Sequence, residues 1–174
     1  MTNLQYPIGD FKAKNEYSKE ESASHLEILR NFPEQMEKAL IGITEEHLAT
    51  PYRPDGWTAL QVIHHIADSH MSMLTRLKWT LTEDTPKIKA YYEDRWATLT
   101  DYSLPYEVSL NMIKSIHAKV VALLEDVPIK TLDKSYLHPE TNSAYSLKTV
   151  MALYAWHGAH HIAHIKICKG EWSS

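Results

Sequence analysis

Trp156-His157-Gly158-Ala159-His160-His161-Ile162-Ala163-His164-Ile165 places four of the chain's eleven histidines within eight positions. Histidine is a middling helix former and is seldom fully buried, so four in one helical run need a chemical reason. Val150, Tyr154, His157, His161, Ile165 and Cys168 follow one another at spacings of three and four and form one helical stripe. The ends of that stripe are apolar and its middle is two imidazoles. Residues four apart on a helix have Cβ atoms about 6 Å apart, which suits two ligands of one metal ion. His160 and His164 share the spacing, in a stripe with Leu153 and Ile167, so periodicity prefers the first pair only weakly.

Outward from this stretch, Ser146 is a candidate N-cap and Gly170 a C-terminal stop, which predicts a helix over residues 147–169. Three more long helices are predicted upstream. The first runs over residues 18–41 with Ser18 as N-cap, Glu20 and Glu21 in its first turn, and Pro33 expected to kink or split it. The second begins at a capping box, Thr58 with Gln61, and runs to Thr82. The third spans residues 104–127, with Ser103 as N-cap, Pro105 in the first turn and His117 on the apolar stripe. Residues 1–17 read as an extended arm lying on the domain, and 44–57 as a turn-rich connector. The long connection over 83–102 holds Tyr91, Tyr92 and Trp96, which suggests a short extra helix. Residues 134–146 allow a small irregular β-hairpin around His138-Pro139-Glu140-Thr141-Asn142. The fold class expected is all-α, a four-helix bundle, as a single domain over residues 1–174.

Composition narrows the function. Net charge is −4 with both signs interspersed, so there is no electrostatic footprint for nucleic acid. No 18-residue apolar run or charged-then-apolar leader is present, and the helical stripes are balanced by polar rather than basic faces. The expectation is a soluble, cytoplasmic protein without a membrane role. Cys168 is the only cysteine, which rules out an internal disulfide and a cysteine zinc cluster. None of the five glycines forms a phosphate-cradling loop.

A two-histidine site needs a third ligand, and the second helix offers His64 and His65. His65 shares a stripe with Gln61, Val62, Ser69 and Ser72, which is less oily than the face through Ala59, Ile63, Ile66 and Leu74. An open metal site wants such a polar face, so the reading leans toward His65. His70 reads as a surface residue or one that backs a ligand, and His25 as a rim residue. No His-Glu-x-x-His occurs, against a zinc protease, and no Glu-x-x-His, against a di-iron bundle. What remains is a three-nitrogen site with open positions, suited to zinc or nickel. Asp68, His64 and His117 are candidates to orient a ligand or move a proton.

Several runs together resemble the DinB/YfiT-like superfamily. They are Tyr6-Pro7-Ile8-Gly9, Thr50-Pro51-Tyr52-Arg53, Gly56-Trp57-Thr58, His64-His65-Ile66-Ala67-Asp68-Ser69-His70, Leu81-Thr82-Glu83-Asp84-Thr85-Pro86 and the histidine stretch of the last helix. The resemblance is nearest to the YfiT branch of metal-dependent hydrolases, related to bacillithiol transferases. It implies an up-down-down-up bundle, often a homodimer, with one divalent metal per chain held by three histidines. Carried over by motif, those are His65, just before Ile66-Ala67, with His157 and His161 in the His-x-x-x-His of the last helix. His160 and His164 fall outside the ligand positions, and the family more often has glutamine where His164 stands. Three functions follow as expectations. One is hydrolysis of a small molecule by metal-activated water. Another is transfer of a low-molecular-weight thiol such as bacillithiol. The third is a metal-binding bundle without catalysis.

Overall fold

The computed structural model describes residues 3–173. Its long helices are α1 (Lys19–Leu40), α3 (Ala59–Thr82), α5 (Tyr106–Leu124) and α6 (Leu147–Cys168), with short helices α2 (Glu45–Ala49) and α4 (Glu93–Trp96) between them. Strands β1 (Ser135–His138) and β2 (Ser143–Ser146) form the antiparallel hairpin that the sequence allowed. Asn142 takes the positive φ of its turn, a conformation asparagine tolerates.

The helix starts follow local chemistry. Ser18 with Glu21 and Thr58 with Gln61 close reciprocal capping boxes, and the Ser146 hydroxyl accepts from the Thr149 amide. A third box, Thr44 with His47, starts α2, where a plain connector was expected. The third long helix departs from its predicted bounds. Thr100–Ser103 forms a 3₁₀ turn, and Pro105, not Ser103, is the N-cap of α5. The cause is local: proline pushes the preceding residue out of the helical region, and Leu104 is extended. The C-terminal end comes at Leu124, short of the predicted 127.

Pro33 neither splits nor ends α1, which runs through it as one helix. Proline has no N–H, so the carbonyl four residues back, that of Leu29, loses its intrahelical donor. His117 supplies the replacement: its Nδ1 lies 2.6 Å from Leu29 O. A histidine of α5 therefore repairs the gap that a proline leaves in α1.

The contacts fix the topology. Arg30 and Glu37 of α1 meet Glu125 and Lys114 of α5, so those helices are antiparallel. His64 meets Ser109 and His70 meets His117, so α3 and α5 are parallel. His65 meets His157 while Ser69 meets Tyr154, so α3 and α6 are antiparallel. Gly158 packs on Phe32 and Lys169 reaches Ala39 O, so α1 and α6 are parallel. The order is up-down-down-up, as the resemblance implied.

Apolar side chains fill both ends of the bundle. One cluster includes Leu29, Met73, Leu77, Val120 and Met151. The other includes Phe32, Met36, Ile63, Ile66, Ile113 and Ile165. Each large aliphatic so buried contributes about 1.5–3 kcal/mol. A polar seam of histidines runs between the clusters, and Phe32 covers it, its ring 5.0 Å from His70 and 4.9 Å from His117. Gly158 permits the approach: a Cβ there would stand 2.5 Å from the Phe32 ring. The N-terminal arm crosses α6, where Trp156 donates to Gly9 O and His164 to Leu4 O. Within the stretch 91–96, Tyr91 and Trp96 pack on each other half-buried, and Tyr92 is the one aromatic that is exposed.

Candidate metal centre

The antiparallel packing of α3 on α6 brings His65 against two histidines one helical turn apart. Ring centroids are 4.9 Å apart for His65 and His161, 5.4 Å for His65 and His157, and 4.4 Å for His157 and His161. One ligating nitrogen from each lies within 4.8 Å of the others. The Nε2 atoms of His65 and His157 are 3.3 Å apart. Two nitrogens each about 2.0–2.1 Å from a tetrahedral zinc would stand roughly 3.3–3.4 Å apart, so the donor set fits such an ion.

The three rings are uncharged at neutral pH. Burial pushes His65 down to about 4, with the neighbouring His160 adding to the effect. Burial, then the neighbouring histidines, holds His157 and His161 well below the ordinary value. Neutral imidazole is the form that ligates metal, so nothing need be deprotonated for binding near pH 7.

Which nitrogen each neutral ring offers follows from its hydrogen bonds, because a carbonyl can only accept. His117 must donate from Nδ1 to Leu29 O, which leaves its Nε2 as an acceptor. His70 Nδ1 lies 2.7 Å from that Nε2 and must be the donor. His70 Nε2 is then an acceptor, and His157 Nδ1, 3.2 Å away, donates to it. The lone pair of His157 is thereby left on Nε2, facing His65. A second chain does the same for His161. His164 donates from Nε2 to Leu4 O at 3.2 Å, so His164 Nδ1 accepts from His161 Nδ1 at 3.2 Å, and the His161 lone pair is on Nε2. His65 differs: its Nε2, 3.3 Å from the His157 lone pair, is the donor of that contact, and its Nδ1 is buried without a partner, so ligation through Nε2 requires the proton to sit on Nδ1 instead.

His160, His161 and His164 also lie within 4.8 Å of one another. A neutral His161 has one lone pair, so it cannot serve that group and the His65 group together.

The other sequence candidates separate. His117 and His70 are both buried and reach the triad through His157, so the surface alternative for His70 is wrong. The helix face that holds His70 is covered by Phe32 and Tyr154. His64 and Asp68 lie on another side of α3. His64 bonds Ser109 Oγ at 2.7 Å and Leu104 O at 3.0 Å, and so ties down the start of α5. Asp68 accepts from the Tyr102 hydroxyl at 2.8 Å. Neither forms a hydrogen bond with a member of the triad. His160 stacks on Trp156 at 4.6 Å, and Tyr52 stacks on His164 at 3.9 Å. His25 is half-buried against Tyr17 at the rim, as expected.

The site is open. A cavity of about 510 Å³ is lined by all three histidines together with Tyr6, Arg53, Trp57 and Trp156. A second, of about 300 Å³, reaches His65 and His157 from the side of Ser69, Tyr91 and the β-hairpin. Glu93, at the start of α4, lines both. Sequence reasoning missed Ser69 as a site residue: its hydroxyl lies 3.5 Å from His157 Nε2. The signal was present, since Ser69 stands four residues after His65.

A helical bundle with three convergent histidines beside an open cavity defines a class of metal-centre protein. Comparison with known proteins narrows it. The sequence profile of the DinB superfamily matches residues 28–165, and the chain belongs to that superfamily. A Bacillus cereus (strain B4264) protein named "Putative metal-dependent hydrolase" is 44% identical over 95% of each chain. A protein of the same description from Bacillus anthracis (strain CDC 684 / NRRL 3495) is 42% identical over the same share. The structure of YfiT from Bacillus subtilis, described as "a probable metal-dependent hydrolase with an unusual four-helix bundle topology", superposes with a TM-score of 0.93 at 38% identity, covering 98% of this chain and 99% of that one. A mycothiol-dependent maleylpyruvate isomerase matches with a TM-score of 0.67 at 13% identity over 83% of this chain and 60% of that one, which is a likeness of fold. Among the described residues no helix is long and apolar enough to cross a membrane.

Proposed function

We propose that this chain is a metal-dependent hydrolase that binds one divalent ion through Nε2 of His65, His157 and His161. The observation that carries it is the convergence of three neutral imidazoles within 4.8 Å at the wall of an open cavity. The names of relatives more than 40% identical along nearly the whole chain support the reaction class. Zinc is the ion best suited to the donor set, and nickel accepts the same ligands. Such an ion supplies Lewis acidity and brings a water toward a pKa of about 7.

The chain's own residues do the rest. His70 and His164 hold the two α6 ligands by their Nδ1–H groups and keep their lone pairs aimed inward. Ser69 Oγ, 3.5 Å from His157 Nε2, brings a hydroxyl donor to the edge of the ligand set. Glu93 is the carboxylate that lines both cavities, beside Asp55 and Asp94 in the larger and Glu140 in the smaller, and is the one we assign to accept a proton. Trp57 and Trp156 give the cavity apolar surface for the uncharged part of a small substrate.

The test uses chelator-stripped protein reloaded with Zn²⁺ or Ni²⁺ and a panel of esters and amides. Turnover without added thiol that is lost in His65→Ala supports hydrolysis. Conjugation of bacillithiol to monochlorobimane in place of ester or amide turnover overturns it in favour of thiol transfer. Absence of both reactions, with metal bound, leaves a non-catalytic metal bundle and overturns it too.

A further inference from the structure

Arg76 sits on α3, eleven residues after His65, and three turns of helix bring it back to the same face. His65, Ser69, Ser72 and Arg76 thus form one polar stripe. Arg76 is only 8% exposed. Among the described residues no carboxylate forms an ion pair with it, whereas Arg30 at the surface has two. Its partners are neutral oxygens: Nη2 reaches Lys89 O at 3.5 Å, and the Tyr136 and Tyr154 hydroxyls are hydrogen-bond partners of its side chain. A guanidinium brings five donors and a permanent charge, and removing both from water without a counter-charge is costly. Buried charges are otherwise paired or serve a ligand.

The cavity beside it shows what that ligand would meet. The 300 Å³ space lined by Arg76 is the one that reaches His65 and His157. Its walls come from the long connection after α3 (Tyr91) and from the hairpin (His138), two elements outside the bundle. Glu93 and Glu140 also line it without pairing with Arg76. A buried cation and two of the three histidines share this one cavity, which makes a two-point site.

We propose that Arg76 is an anion-binding residue and that the substrate is a small molecule bearing a carboxylate or phosphate several bonds from the group that reaches the triad. The planar guanidinium would hold either anion by two parallel hydrogen bonds. That the anion belongs to the substrate rests on the hydrolase reading above; that Arg76 binds an anion does not.

Two measurements separate these. In chelator-stripped protein, the Arg76 Nε–H resonance is followed by NMR during titration with succinate and, separately, inorganic phosphate at constant ionic strength. A saturable shift with one of them, absent for Arg53, supports the site and says which anion it prefers. No saturable shift with either anion into the tens of millimolar overturns it. Wild-type protein alone decides this arm, so it stands even where Arg76→Gln fails to fold. In the second arm, the metal-loaded protein is given paired esters with the same leaving group and an anionic or neutral acyl tail. A preference of about tenfold or more in kcat/KM for the anionic ester, lost in Arg76→Gln, supports the substrate class. Equal rates for both esters overturn it. Failure of the hydrolase reading shows instead as no turnover of any ester with the NMR shift intact.

Discussion

His64 and His65 are consecutive on α3, equally buried, and end in opposite circumstances. His64 points into the α3–α5 seam, where Ser109 and Leu104 partner both of its ring nitrogens and Tyr102 bonds Asp68 close by. His65 points into the α3–α6 seam, where it meets ligating nitrogens and open space, and its own Nδ1 has no partner. A step of about 100° around a helix separates a structural tie from a candidate ligand. The first seam is satisfied and closed. The second gathers the lone pairs of His157 and His161 beside His65 at the wall of a cavity, an arrangement that a cation would satisfy. Polar satisfaction, rather than residue type, distinguishes the two.

The comparison can be broken most directly at α6. His157→Ala/His161→Ala is expected to lower bound Zn²⁺ from one per chain to background while circular dichroism keeps its helical signal; unchanged metal content would sink the ligand assignment. His64→Ala should leave that stoichiometry at one.

The next effect is on acid stability. The unfolded chain binds protons on its histidines from about pH 6.5 downward. The folded chain resists until near 4 at His65, His117 and His164, because burial disfavours the imidazolium. The unfolded state therefore holds more protons in that window, and stability must fall as pH falls from about 6.5 to 4. Urea midpoints of metal-free protein should be flat above pH 7 and drop steadily below 6.5. A midpoint that stayed constant to pH 5 would mean the seam is not the dry, uncharged region described.

A smaller change comes from the chain of rings behind His157. His70→Gln should weaken Zn²⁺ binding by about 10–100-fold in a chelator competition, as loss of a ligand's outer partner does elsewhere. Nitrogen-15 shifts of the metal-free wild type should show His157 and His161 as Nδ1–H tautomers. An Nε2–H form at His157 would break the logic that starts at Leu29 O.

The remaining two tests sharpen the closed side. His64→Ala should cost about 1–3 kcal/mol in unfolding free energy, since Ser109 Oγ loses its partner in the buried seam. Tyr102→Phe, which removes one half-buried bond to Asp68, should cost about 1 kcal/mol and leave metal affinity untouched.

Much of the bundle was legible beforehand for local reasons. Ser18, Thr58 and Ser146 announced helix starts because a cap acts within three residues of its own position. The start of α5 lies two residues beyond the expected one because Pro105 acts on the residue before it and leaves Ser103 in the 3₁₀ turn. Pro33 was read as a break because its local cost is real. The compensation comes from His117, 84 positions later, and no local window contains both.

The candidate site divides in the same way. Helical spacing put His157 and His161 on one stripe, and the resemblance singled out His65 over His64. Asp68 and His64 read as candidates to orient a ligand or move a proton, and the turn of α3 gives both their partners in another seam. His70 was undervalued because its face looked no more buried than its neighbours until Phe32 and Tyr154 covered it.

The sequence by itself determined the helices, their caps and the histidine stripe, because periodicity and capping depend on residues within a turn or two of each other. Only the tertiary structure decided what each histidine does. A ring nitrogen becomes a ligand, a relay or a strut according to the atom opposite it. Here those atoms (Leu29 O, Leu4 O and Leu104 O among them) arrive from distant parts of the chain. Hydrogen bonding is short-ranged in space and indifferent to separation along the sequence, so that choice is made by packing.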